Sequence, residues 1–147
     1  MDRRRFIRAT AVGGAGTAVA VGGYWAWGAI CRTELATGCL SDNLSVIARH
    51  LREYASAHDG RLPPAADLLA VARGGHDDYL WCRPGGLPYQ WDLRVAGQPV
   101  AGLDGLAVAW CPPGGHGRYA GAVVASGSDL RVVGVTVAEL RRMVGAG

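Results

Sequence analysis

"CLSDNLSVIARHLREYASAHDGRLPP", Cys39–Pro64, decides how the rest of the chain is read. Its apolar residues fall at Leu40, Leu44, Ile47, Leu51 and Tyr54. Alternating steps of four and three bring them onto one face of a helix. Arg49, Arg52, Glu53 and Asp59 lie mostly off that face. Gly60 ends the helix, and the prolines of Leu62-Pro63-Pro64 block its continuation because they lack an amide to donate. The pattern predicts a helix over 38–59 whose apolar stripe must be covered by another layer.

The downstream sequence supplies that layer. "AADLLAVAR" predicts a short helix over 65–73. After Gly75 the pattern changes to short aromatic and β-branched runs bounded by Pro and Gly, which read as strands. These are "DDYLWC", "PYQWDLRV", "GLAVAWC", "RYAGAVVA" and "LRVVGV". The last two flank the turn "SGSD" and read as a hairpin. Strands that follow one another without a crossover pair antiparallel, so a small antiparallel sheet is predicted over 79–135. Thr136 followed by Glu139 is a capping box, which starts a closing helix over 136–144. The expected class is α+β: a long amphipathic helix packed on a small antiparallel sheet, with a short helix at the C-terminal end.

Upstream, 1–30 reads as a leader. Ala9–Ile30 is 22 residues without a charge. A helix of that length extends about 33 Å, close to the hydrocarbon thickness of a bilayer. Arg3, Arg4, Arg5 and Arg8 hold the first end in the cytoplasm, and Tyr24, Trp25 and Trp27 suit the far interface. Arg3, Arg4 and Phe6 resemble the twin-arginine translocation motif. Retention as a single-pass anchor is expected, with 31–147 facing the periplasm or exterior. Ala18-Val19-Ala20 has the small-x-small form of a cleavage site. It supports the alternative, a soluble periplasmic binding domain released after export.

The chain has 147 residues, room for one domain beyond the leader, and a net charge of +3. That charge comes from the N-terminus. From Arg32 onward 11 Arg face 11 acidic residues, and a neutral body lacks the basic face that nucleic acid requires. No paired carboxylates, nucleophile motif or phosphate loop stands out, so neither an enzyme nor a cofactor is expected.

Two stretches nearly repeat: "YLWCRPGG" at Tyr79–Gly86 and "VAWCPPGG" at Val108–Gly115. Each reads as a strand exit in which Trp fills the core and Pro-Gly-Gly turns the chain away. Three readings stay open for Cys82 and Cys111. They are buried thiols, a disulfide, or two ligands of a metal site completed by His116 and His76. A disulfide would close a loop of about 30 residues and stabilise by roughly 3 kcal/mol on the chain-entropy model. Zinc sites usually carry Cys pairs two to four residues apart, and neither Cys has such a partner, so no metal is expected. His50 and His58 read as surface or boundary residues, and His76-Asp77-Asp78 as an exposed polar loop.

Cys39, Asn43, Leu44, Tyr54, Ala55, Gly60, Leu62 and Pro63 together resemble the stretch after the membrane helix in pilin-like proteins (pseudopilins) of planctomycete and verrucomicrobial type. A second match is His116, followed nine residues later by Ser126-Gly127, where the family carries Asp-Gly. The resemblance implies a pilin-like fold, a membrane anchor, and a place in a type II secretion or type IV pilus-like assembly. Its partners would be the membrane, the export machinery, and a protein partner or copies of itself. The chain lacks the family's processing Gly and the Glu five residues into the mature protein. A twin-arginine-like leader stands in their place.

Overall fold

The computed structural model describes residues 43–144 apart from Pro84 and Gly115. The leader with Arg3, Arg4 and Phe6, and likewise Cys31, Cys39 and Leu40, lie outside the described residues. Those described all fall within one compact unit, Thr33–Gly147.

Helix α1 spans Asn43–Ala57 and turns Leu44, Ile47, Ala48, Leu51 and Ala55 inward. Tyr54 is only half-buried, and Ala55 takes the inward place at the last turn. Tyr54 stacks instead on His58, with ring centroids 3.8 Å apart. The helix ends where the Gly60 amide donates back to the Ala55 carbonyl at 2.8 Å. Such a bond satisfies a carbonyl the helix leaves open. Leu62 and Pro63 are then buried, and the Leu62 amide donates to Gln98 O at 3.0 Å. Helix α2, Leu68–Arg73, buries Leu68 and Ala72. His50 Nδ1 lies 2.9 Å from Ala72 O, which fastens α2 to α1.

The sheet is a four-stranded antiparallel meander. Strands β1 (Trp81–Cys82) and β2 (Leu87–Pro88) form a separate two-stranded ladder. Strands β3 (Gln90–Trp91), β4 (Ala107–Trp110), β5 (Tyr119–Ser126) and β6 (Asp129–Thr136) pair in chain order. β5 and β6 form a hairpin in register from Tyr119↔Thr136 to Ser126↔Asp129. Gly127 leads its two-residue loop at φ 61°, the sign a primed hairpin turn requires there. The register of β4 slips by one residue between Ala107 and Ala109, a bulge at Val108. Ala120–Ala125 are buried without alternation, so both faces of β5 are covered. Gly121, which has no side chain, and the small side chains of Ala120, Ala122 and Ala125 let neighbours approach closely. Both α1 and the closing helix α3, Val137–Met143, pack on β5 and β6. The α+β class with one long helix and small antiparallel sheets is therefore observed, and so is the capping box: Glu139 N donates to Thr136 Oγ1 while Thr136 N donates to Glu139 Oε2.

Three local expectations need correction. Asp77–Leu80 is a 3-10 turn, so the strand expected from "DDYLWC" shrinks to Trp81–Cys82. "PYQWDLRV" is strand only at Pro88, the end of β2, and at Gln90–Trp91. There the Asp92 carboxylate accepts from the Arg94 amide at 3.0 Å and rolls Leu93–Val95 into a 3-10 turn. Aspartate competes with strand pairing by this kind of local bond. Residues 65–67 form a turn ahead of α2 rather than its first turn.

Candidate functional site

The two strand exits are not alike. Trp110 is 7% exposed and belongs to the core, whereas Trp81 is 49% exposed and points away from it. The expectation that both Trp side chains fill the core holds only for Trp110. The difference goes with position: β4 lies between β3 and β5 in the meander, while β1 belongs to a separate two-strand ladder. What the exits share is their cysteines. Cys82 and Cys111 are each 0% exposed.

Each cysteine is placed by backbone bonds. The Cys111 amide donates to Gly121 O at 2.9 Å, extending the β4–β5 ladder by one residue. Cys82 ends β1, and its carbonyl accepts from Gly86 N at 2.8 Å as the chain doubles back. The segment carrying Cys82 is held by Asn43 at the start of α1. Asn43 is buried, and its Nδ2 donates to Asp78 O at 3.0 Å and to Trp81 O at 2.8 Å. Beyond Cys111 a tight loop returns the chain toward β5. Gly114 pairs with Gly117 and His116 with Tyr119. Gly117 adopts φ 65°, which a side chain would resist, and this reversal aims His116 inward.

The outcome is one buried cluster. Cys82 Sγ lies 3.0 Å from His116 Nε2. Sγ of Cys82, Sγ of Cys111 and a ring nitrogen of His116 all lie within 4.8 Å of one another. His116 is 1% exposed, and no S–S bond joins the cysteines. His76 takes no part in the cluster. It is exposed, with its ring edge-on to Tyr79, and the neighbouring Asp77 pairs with Arg73 at 2.7 Å. Two thiols and an imidazole at this separation can share a proton, oxidise to a disulfide beside a histidine, or ligate a thiophilic metal ion. The sequence groups Cys82, Cys111 and His116 only as one of three open readings, with His76 beside them; the fold brings the first three together and leaves His76 out. Sequence reasoning noted Asn43 but not its part in placing Cys82.

Among the described residues, clefts also lie elsewhere. One of about 270 Å³ runs between the end of α1 and the β5–β6 turn, lined by Arg52, Ser56, Ser128 and Asp129 among others. Another, about 300 Å³, is walled by Gln90, Trp110, Pro113, Val137, Leu140 and Val144. Among the described residues no helix is long and apolar enough to cross a membrane. No protein-family model, curated protein or solved structure matches the chain.

Proposed function

We propose that this chain is an exported, membrane-anchored, pilin-like structural and interaction protein. Its body faces the periplasm or exterior, and its working context is a type II secretion or type IV pilus-like assembly. One observation carries the reading. The first described element is an amphipathic helix that follows an uncharged, membrane-length leader, and it packs on an antiparallel meander ending in a hairpin. That is the order of parts a pilin-like protein would have.

The positions shared with the pilin-like family also fall at joints of the fold. Asn43 ties the helix start to the segment before Cys82, and Leu44 is fully buried beside it. Pro63 is buried where the chain leaves α1, His116 enters β5, and Gly127 turns the hairpin. Trp81 and Leu87, both about half exposed, give the β1–β2 ladder apolar surface of the kind that protein partners use. No reaction is assigned to it.

Protease added to intact spheroplasts tests the reading. Digestion of the body, with a leader-sized fragment left in the membrane, is the expected result. Complete protection would overturn export. A mature N-terminus just beyond Ala20 would replace the anchor with the second reading, a released periplasmic binding domain, which the small-x-small sequence at Ala18–Ala20 favours.

A further inference from the structure

We infer that Cys82, Cys111 and His116 are the protein ligands of a buried divalent zinc-type centre. Two observations point the same way. The donor atoms converge within 4.8 Å although they come from separate turns of the chain. Ligands on a tetrahedral zinc stand about 3.5–3.8 Å apart, given metal–sulfur lengths of about 2.3 Å and metal–nitrogen lengths of about 2.0 Å. The Cys82–His116 pair at 3.0 Å needs to open by only about half an ångström to admit the ion.

Charge selects the ion. Zn²⁺ displaces one proton from each thiol, and both protons leave to solvent. Two thiolates and a neutral imidazole then balance the 2+ charge. A site whose members are 0%, 0% and 1% exposed tolerates a neutral complex far better than a charged one. A monovalent soft ion would leave one negative charge uncompensated in the core. Thiolate and imidazole donors also suit zinc rather than magnesium or calcium, which take oxygen ligands. Three protein donors leave a fourth position for a water molecule or a backbone carbonyl.

The competing chemistry is a Cys82–Cys111 disulfide. It would join the two sulfurs and leave the imidazole of His116, 3.0 Å from Cys82 Sγ, outside the bond. A metal uses all three groups and explains why the Gly114–Gly117 reversal delivers histidine to this spot. The inference does not depend on the export reading, since the ligands exist wherever the folded body resides.

The test uses full-length protein, purified in detergent without chelator from zinc-supplemented cells. Elemental analysis should find about one zinc per chain, and zinc-edge X-ray absorption should show two sulfur neighbours near about 2.3 Å. Cys82→Ser, Cys111→Ser and His116→Ala should each weaken zinc binding by at least about 100-fold. His116→Cys keeps a ligand at the position. It should retain the metal and add a third sulfur to the absorption spectrum, which separates loss of a ligand from loss of the fold. A metal-free wild type that fails to take up added Zn²⁺ under reducing conditions would overturn the inference. So would zinc with only nitrogen and oxygen neighbours.

Discussion

The molecule has two regions built on different terms. One is the helix-on-hairpin core, in which Leu44, Ile47 and Leu51 of α1 meet the sheet that holds Val123 and Leu130. The other is the corner that carries Cys82 and His116, made of two-residue strands, 3-10 turns and a glycine loop. The core rests on apolar area, which is diffuse and tolerant of small errors. The corner joins that apolar cluster through Cys82, Tyr89 and Cys111, and is positioned by directed bonds: two from Asn43, one between Gly86 and Cys82, and the Cys82–His116 contact. The expectation is that loss of the directed bonds loosens the corner first and leaves the β5–β6 hairpin in place.

That contrast can be broken or sharpened by substitution. Leu51→Ala removes a fully buried side chain from the middle of α1 and should cost about 2–5 kcal/mol. Urea denaturation would measure this, and the whole body should unfold in one transition. Asn43→Ala should cost less, about 1–3 kcal/mol, by stranding the Asp78 and Trp81 carbonyls. Its signature is local: amide exchange should accelerate around 79–82 and 86, while β5 and β6 stay protected. If exchange rose equally in the hairpin, the corner would not be a separable region.

Thr136→Ala removes one half of the capping box and should cost about 1 kcal/mol, with fraying confined to α3. The smallest effect is expected at Asp92. Side-chain hydrogen bonds from Arg94 hold its carboxyl below the ordinary value, against the upward push of burial. A folded value below the unfolded one means that the carboxylate stabilises fully above about pH 4. That contribution is lost as pH falls through the lowered folded value. Asp92→Asn should therefore leave less acid-dependent loss of stability, which the urea midpoint followed from neutral pH downward would reveal. The exposure of Arg94 keeps the effect modest.

The two regions also differ in how far they could be read from residues alone. The stripe of α1, the β5–β6 hairpin and the Thr136–Glu139 box were legible because each is fixed by residues a few positions apart. The 3-10 turns at Asp77–Leu80 and Leu93–Val95 were missed because their aromatic and branched residues mimic strands. An aspartate at the start of each was the available warning. The cluster stood in the sequence only as one of three open readings, for another reason. Cys82 and His116 are 34 positions apart, and nothing local says that the Gly114–Gly117 reversal turns histidine inward. The spacing of paired cysteines says nothing about donors that are brought together one at a time by the fold. A repeated Trp-Cys followed by a glycine loop and a histidine was the signal present.

Native mass spectrometry of the full-length protein, released gently from detergent, tests the central claim in one spectrum. The expected mass is that of the chain plus one zinc ion less two protons, reverting to the bare reduced chain on chelation. A metal-free chain lighter by two hydrogens, with peptide mapping that places the bond between Cys82 and Cys111 rather than at Cys31 or Cys39, would contradict the account.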